Sequence, residues 1–197
     1  IFSTAAIVLS PLGETIVAAH QIAISITSQL FMIPMSLAIA LTIRVGTYYG
    51  EQNWVAMRKV QWIGLVTGTV LALLTMILLW VFRHQIVALY TSDAVVTQIA
   101  VYLVLFAVAY QLMDAWQISA AGCLRGMQDT QGPMWITMLA YWVIAFPVGV
   151  YLSRFTDMGP AGVWIGLIVG LSIACVLLLT RLYMNNKRQE SASIQLE

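Results

Sequence analysis

Asp114 is the acidic residue whose position in the sequence most strongly suggests chemistry. The other seven Asp and Glu residues lie in or beside predicted connections or near the C-terminus, whereas Asp114 lies inside a long apolar stretch. Holding an ionised Asp at the centre of a membrane helix costs about 3 kcal/mol on insertion scales, so such a residue is a functional hypothesis by default. The alternative is a protonated hydrogen-bond anchor between helices, and both interpretations stay open at this point.

The neighbours of Asp114 form a polar stripe. At about 100° per residue, Tyr110, Gln111, Asp114 and Gln117 share one side of a helix, and apolar residues cover the opposite side. Lipid offers no hydrogen-bond partners, so this side is predicted to face protein or a water-filled cavity. Tyr110, Gln111 and Gln117 are therefore candidate cavity residues beside Asp114.

A second polar stripe lies in residues 15–43. It consists of Gln21, Ser25, Ser28 and Gln29, followed by Met32 and Ser36. Gln21 and Ser25 are further candidates for the cavity lining, although small hydroxyl residues at this spacing are also typical of plain helix packing in membranes. Pro34 in the same stretch and Pro147 in a later one remove a backbone hydrogen bond each and predict bends.

Other chemistry has little support in the sequence. His20 and His84 have no Cys, Asp or second His at the spacing of a zinc site. Cys123 and Cys175 lie far apart and are interpreted as packed thiols. We find no Ser–His–Asp arrangement, no HExxH motif and no phosphate loop, so neither an enzyme nor a bound cofactor is predicted.

The composition indicates what must position these residues. Of the 197 residues, 61% are apolar and only 9% are charged, and the mean hydropathy is +0.89. Typical globular domains carry about 25% charged residues. The net charge of +1 provides no basic surface for a nucleic acid. The sequence therefore predicts a polytopic membrane protein that is embedded in the lipid bilayer.

Five apolar stretches are long enough to cross a bilayer core, which takes about 20 residues per helix. They are residues 15–43, 60–82, 94–121, 133–152 and 161–183. A sixth apolar run, residues 1–9, is too short to span and is interpreted as the end of a helix whose beginning is missing. Residues 1–183 are thus predicted to form one helical bundle, and residues 184–197 a polar, frayed cytoplasmic tail.

Two local patterns predict how these helices begin and pack. Thr91, Ser92 and Asp93 provide N-cap side chains for the helix that begins at Ala94. Gly162, Gly166 and Gly170 recur at every fourth position of the last stretch, a row that is typical of close helix packing in membranes.

Basic residues predict the orientation. When the connections are assigned alternately to the two sides, one side holds only Arg83 and Arg154. The other side holds seven basic residues: Arg44, Arg58, Lys59, Arg125, Arg181, Lys187 and Arg188. The positive-inside rule places the seven in the cytoplasm, together with the connections at Gly50 and Gly126 and the C-terminus.

Short motifs along the chain carry a family resemblance. They are Pro11-Leu12-Gly13, residues 17–23, Pro34-Met35-Ser36, residues 43–46, Tyr110-Gln111, Met113-Asp114-Ala115 with Gln117, Leu124-Arg125-Gly126 with Asp129, Tyr141-Trp142-Val143, residues 159–162 and Trp164-Ile165-Gly166. In these residues the chain resembles the C-terminal half of bacterial NorM-type multidrug efflux transporters of the MATE (multidrug and toxic compound extrusion) family.

The resemblance implies an all-α fold. Family members have twelve helices in two bundles of six, so the chain would be the C-terminal bundle with its first helix truncated. The N-terminal bundle would be its missing partner. The resemblance further implies a multi-pass protein of the bacterial inner membrane that exports cationic or amphipathic drugs in exchange for sodium ions or protons.

The resemblance also implies site residues at particular positions. Its acid on the tenth helix matches Asp114, its tyrosine one turn earlier resembles Tyr110, and its glutamine on the eighth helix resembles Gln21. Sodium at Asp114 is the only metal ion implied. A second family acid, on the seventh helix, would precede Ile1.

Three alternatives remain open at the level of the sequence. A flippase for a lipid-linked precursor would need Arg or Lys deep in a span, where the sequence has none. An enzyme embedded in the membrane would need a second catalytic group at the depth of Asp114. In a membrane subunit that does not transport, Asp114 would be dispensable.

Overall fold

The computed structural model describes residues 13–156 and 158–194, and within these ranges the fold is all-α. Five helices are long and apolar enough to cross a membrane. We label them α1 (Glu14–Gly50), α2 (Trp54–Ala88), α3 (Ala94–Gly126), α4 (Gln131–Phe155) and α5 (Pro160–Ile194). The five predicted spans are confirmed, and the truncated helix predicted for residues 1–9 lies outside the described residues.

The predicted start of α3 is confirmed in detail. Asp93 is its N-cap, and Oδ1 of Asp93 accepts hydrogen bonds from the backbone N–H groups of Val95 (2.8 Å) and Val96 (3.1 Å). The first N–H groups of a helix have no partner within the helix, and a capping carboxylate satisfies them. The cap therefore fixes where the helix carrying Asp114 begins.

The helix α4 contains a π-helical turn that the sequence analysis did not predict. Residues Gln131–Met138 and Phe146–Phe155 are α-helical, whereas Leu139–Ala145 form a π-helix. Pro147 is the second residue after the turn. Proline lacks an N–H group and its ring clashes with the carbonyl four residues earlier in an α-helix, and widening the preceding turn relieves both problems.

The two predicted bends have different local surroundings. The helix α1 continues through Pro34, which is buried within it. Bends at π-turns and at prolines have a recognised physical cause, and Pro147 combines the two. A bend at Pro34 or at Pro147 stays a prediction.

The helix α5 extends past the predicted end of the last span. Its helical conformation continues to Ile194, so the prediction of a frayed tail from residue 184 is wrong for residues 184–194. Polar contacts hold this extension: Asn186 Nδ2 donates to Gln61 Oε1 on α2 (2.7 Å), and Arg58 Nη1 lies 3.1 Å from Glu190 Oε2. A polar helix can continue beyond the bilayer because water and neighbouring side chains form hydrogen bonds with its polar side chains.

The bundle is built around α3, which packs against α1, α2 and α5. Small residues let α1 and α3 approach closely. A Cβ atom on Gly122 would lie 2.6 Å from the carbonyl oxygen of Ala38. The Thr42 hydroxyl donates to the Gly122 carbonyl at 3.0 Å, which adds a polar tie at this crossing.

The predicted close packing of the last glycine row is present, and its partner is α4. Cβ atoms built on Gly162 and Gly166 would lie 2.5 Å from backbone atoms of Leu152 and Gly149, respectively. No side chain larger than hydrogen fits these contacts without backbone movement. These close contacts fix the register of α4 against α5.

The outer surface of the bundle is apolar. On α2, for example, Val70, Leu74 and Ile77 are each more than half exposed. A soluble monomer rarely leaves a large continuous apolar surface in contact with water, whereas a bilayer provides the lipid that covers it.

Candidate functional site

A cavity of about 780 Å³ opens between α1, α3, α4 and α5, and Asp114 lies in its wall. The wall comprises Thr27, Ser28, Phe31 and Met32 from α1; Tyr110, Asp114, Gln117, Ile118, Ala121 and Arg125 from α3; Thr130 beside α4, with Pro133, Met134, Thr137 and Tyr141 from α4; and Leu167 and Leu171 from α5. Most of this surface is apolar or aromatic, with a few polar groups, as in typical small-molecule sites.

Asp114 is the only carboxylate among the described residues that line the cavity. No described side chain forms an ion pair with it. Among the described residues of the wall, Arg125 alone is cationic; it follows Asp114 by eleven residues and so lies about 16 Å further along the axis of α3. A carboxylate in this position needs a cation or a proton from elsewhere to offset its charge.

Tyr110 lies one helical turn before Asp114 and is held by aromatic packing. Its ring stacks on Trp164 of α5, with ring centroids 6.1 Å apart and an interplanar angle of 22°. Trp164 in turn meets the ring of His20 edge-on at 5.9 Å. Both Tyr110 and Trp164 are buried, so this stack fixes the position of the Tyr110 ring, which lines the cavity.

Gln117 lies one turn after Asp114 and bonds to a residue that the sequence analysis did not single out. The Tyr141 hydroxyl of α4 donates to Gln117 Oε1 at 2.7 Å. Tyr141 was part of the family motif Tyr141-Trp142-Val143, but no periodic pattern indicated its direction. The structure thus brings Tyr110, Asp114, Gln117 and Tyr141 together at one cavity.

Gln111 does not belong to this group. Its Nε2 atom donates to Thr75 Oγ1 of α2 at 2.9 Å, and its side chain is buried between the two helices. The prediction that Gln111 lines the cavity is therefore wrong. The physical reason is that α3 has helices on several sides, so two halves of one polar stripe face different neighbours.

Gln21 and Ser25 also lie outside the lining of this cavity. They share a helix face with Ser28 and Met32, which follow them by seven residues each, but they lie about 10 Å closer to the start of α1. Gln21 is exposed, and the Ser25 hydroxyl donates to the Gln21 carbonyl at 2.9 Å. Of the polar stripe on α1, Ser28 and Met32 line the cavity, whereas Gln21 and Ser25 do not.

Just beyond the C-terminal end of α3, the Asp129 carboxylate accepts hydrogen bonds from three other residues. Arg181 of α5 donates to it through Nε (2.5 Å) and Nη2 (3.0 Å), Asn185 through Nδ2 (2.9 Å) and Gly132 through its backbone N–H (3.2 Å). The hydrogen bond from Arg181 holds the pKa of the Asp129 carboxyl below its usual value. This cluster ties the connection between α3 and α4 to α5.

Several oxygen ligands for a cation border the cavity beside Asp114. Within the described residues, no group of three His, Cys, Asp or Glu side chains could hold a metal ion. Hard cations such as sodium prefer oxygen donors. The Asp114 carboxylate and the hydroxyl groups of Tyr110 and Thr27 border the same cavity and are of that type.

The family model described as MatE matches residues 1–151. A probable multidrug resistance protein NorM of Acinetobacter baylyi is 74% identical over 188 residues, which cover 95% of this chain and 42% of that protein. The multidrug resistance protein NorM of Photobacterium profundum is 46% identical over 187 residues, covering 92% and 41%. The chain therefore spans less than half the length of these relatives.

A solved structure matches the fold. The outward-facing conformation of a multidrug resistance MATE family transporter of the MOP superfamily superposes with a TM-score of 0.88. The match covers 96% of this chain and 42% of that chain at 19% sequence identity. Identity at this level supports the arrangement of the helices alone.

Proposed function

Since the chain belongs to the MatE family, we propose that it is the C-terminal half of a multidrug exporter in which Asp114 couples efflux to cation entry. One observation carries this proposal. Asp114 is the only carboxylate that the described residues place in a large apolar and aromatic cavity, and it has no ionic partner among them. Such a site lacks a positive charge to offset the Asp114 carboxylate, and an external cation can supply it.

The cavity wall suits organic cations of varied shape. Phe31, Tyr110 and Tyr141 offer aromatic rings, which attract cations through their faces. Met32 and Met134 are flexible and polarisable, and methionine-rich surfaces adapt to different ligands. The site therefore takes cationic or amphipathic compounds that combine one positive charge with a broad apolar surface.

Coupling follows from competition for one carboxylate. Asp114 can be offset by a proton, a sodium ion or a cationic drug, and each of them reduces the affinity for the others. When the coupling ion binds from outside, the drug loses its charge partner and leaves. The exchange drives transport only if the ion and the drug bind the outward- and inward-open states with different affinity.

The same proposal sets the orientation. We place the protein in the bacterial inner membrane, with the connections at Gly50 and Gly126 and the C-terminus in the cytoplasm, because seven of the nine basic residues then lie on that side. Arg125 and Thr130 border the end of the cavity nearest the Gly126 connection, which is then its cytoplasmic end.

Reconstitution tests the proposal. The full-length transporter, in which this chain follows its N-terminal bundle, is placed in liposomes loaded with tetraphenylphosphonium. We expect efflux of this cation above that of protein-free liposomes when an inward gradient of sodium or of protons is imposed. Failure of both gradients to drive efflux would contradict the proposal. Movement of a fluorescent lipid-linked precursor without any movement of tetraphenylphosphonium would favour a flippase instead.

A further inference from the structure

The π-turn of α4 changes which residues of that helix meet α5. Ala145 and Gly149 face the glycine row of α5 and are four residues apart, as expected for an α-helix. The next contact toward the start of α4 is Ala140, whose carbonyl oxygen lies 3.0 Å from a Cβ built on Gly170. Ala140 precedes Ala145 by five residues, which is the repeat of a π-helix.

This spacing removes Tyr141 from the helix–helix contact. In an unbroken α-helix, Tyr141 precedes Ala145 by four residues and would itself lie against the glycine row. In the structure, Tyr141 instead continues the four-residue row of Pro133 and Thr137, and all three line the cavity. The π-turn therefore turns the Tyr141 ring toward the cavity.

The Tyr141 hydroxyl determines how the Gln117 carboxamide is oriented. A carboxamide has an oxygen that accepts hydrogen bonds and a nitrogen that donates two. Tyr141 donates to Oε1 of Gln117 at 2.7 Å, which occupies the acceptor end. Gln117 itself lines the cavity, and among the described residues none accepts a hydrogen bond from its Nε2 atom. The N–H groups of Gln117 thus remain available to donate hydrogen bonds to a ligand.

We propose that Tyr141 is a positioning residue for substrate selection. It holds the Gln117 amide with its N–H groups available to the cavity, so that the site favours cations that also carry a hydrogen-bond acceptor. Asp114 recognises the charge, and Gln117, which lies one turn away on the same helix, recognises the acceptor. This inference rests on the proposed function, because it assigns a second recognition element to the same drug cavity.

Two phosphonium cations that differ by one acceptor test the inference. Tetraphenylphosphonium and (4-acetylphenyl)triphenylphosphonium carry the same charge and a similar apolar surface, but only the second has a carbonyl group. Equilibrium binding to the purified full-length transporter is measured for both. We expect the acetyl compound to bind about three- to tenfold more tightly, as one net hydrogen bond provides.

Two variants test whether the Tyr141 hydroxyl causes the preference for the acetyl compound. Tyr141→Phe keeps the ring but removes the donor, and should bring the ratio of the two Kd values close to one. Tyr151→Phe removes a hydroxyl from the same helix at an exposed site outside the cavity, and should keep the preference.

A third variant carries the test if Tyr141→Phe folds poorly. Gln117→Leu cannot donate and should lose the preference to the same extent. The double variant should lose no more than either single one, because both substitutions remove the same interaction.

The outcomes separate this inference from the proposed function. Equal binding of the two cations by the unmodified transporter would overturn the inference and leave the exporter proposal intact. An equal loss of affinity for both cations in Tyr141→Phe would also overturn it, because Tyr141 would then only support the fold. Absence of binding for both cations by the unmodified transporter would contradict the proposed function itself, and this inference with it.

Discussion

Asp114 and Asp129 are carboxylates on or beside the same helix with opposite surroundings. Asp129 accepts hydrogen bonds from Arg181, Asn185 and Gly132, so its negative charge is offset within the protein. Asp114 faces the cavity and has no ion pair with any residue that the structure describes. One residue therefore contributes to stability, whereas the other remains available to an external cation.

The ion pair of Asp129 predicts a pH-dependent stability. Arg181 lowers the pKa of Asp129 in the folded protein, so the stabilisation is complete above the unfolded pKa of about 4. It is lost as the pH falls from there through the lower folded value. We expect Asp129→Asn to unfold roughly 2 °C below the unmodified protein at pH 7, with the difference shrinking below about pH 4.

Thermal unfolding in detergent across this pH range measures the effect. Glu51→Gln is a matched control, because Glu51 is an exposed carboxylate in the α1–α2 connection and forms no ion pair within the described residues. It should unfold like the unmodified protein at each pH. A deficit of Asp129→Asn that stays constant down to pH 3 would show that charge is not its cause.

At the residue scale, the sequence predicted the charged residue but not all of its neighbours. Asp114 was identifiable because a carboxylate within an apolar stretch is conspicuous in any helical register. Gln111 was assigned wrongly because periodicity gives the direction of a side chain but not the helix that it meets. Tyr141 was missed because its direction depends on the π-turn, which shifts the register within α4.

At the element scale, one side of the contact between α4 and α5 was visible in the sequence. The glycines of α5 recur every four residues, which indicates close packing. The partners of Gly166 and Gly170 on α4 are Ala140, Ala145 and Gly149, spaced by five and then four residues, so an α-helical period does not detect them. The extension of α5 was missed for another reason, since polar composition alone does not distinguish a tail from an exposed helix.

The contact between α4 and α5 predicts that the effect of a glycine-to-alanine substitution on stability depends strongly on its position. A Cβ on Gly166 would lie 2.5 Å from backbone atoms of Gly149, and backbone cannot move aside at low cost. We expect Gly166→Ala to lower the free energy of unfolding by about 1–3 kcal/mol, as overpacking typically does. Gly50→Ala is the control, because a Cβ at Gly50 meets no atom within 4 Å.

Thermal or denaturant unfolding of the two variants side by side decides this prediction. Gly50→Ala should match or slightly exceed the unmodified protein, since alanine favours helix more than glycine does. Equal stability of Gly166→Ala and Gly50→Ala would mean that α4 and α5 do not make this contact in the membrane.

At the scale of the whole molecule, the chain is a multi-pass membrane protein of the MatE family. It covers 42% of the Acinetobacter baylyi relative. Transporters built from repeated bundles work by movement of one bundle against another around a central site. The cavity at Asp114 lies within this chain, whereas we assign alternating access to the full-length transporter.

Orientation is a property of the whole molecule that labelling can test. The proposed topology places Glu51 in the cytoplasm and Ser92 outside, and both are exposed in the connections that they occupy. In a variant lacking other cysteines, Glu51→Cys should react in intact cells only with a membrane-permeant maleimide. Ser92→Cys should react with an impermeant one as well. Labelling of Glu51→Cys by the impermeant reagent would reverse the topology.

Asp114 is proposed to couple drug efflux to cation entry, and gradient-driven efflux by Asp114→Asn tests this role most directly. Asn keeps the shape of Asp, and a neutral amide is cheaper to bury than a carboxylate, so the variant should fold and insert. Asp93→Asn is the matched control, because Asp93 lies outside the cavity and Asn is an equally good N-cap.

Both variants of the full-length transporter are reconstituted at equal density in liposomes loaded with tetraphenylphosphonium, and an inward sodium or proton gradient is imposed. Efflux by Asp93→Asn should equal that of the unmodified transporter, whereas Asp114→Asn should show no efflux above that of protein-free liposomes. Gradient-driven efflux by Asp114→Asn at a rate close to that of the unmodified transporter would contradict the assignment of coupling to Asp114.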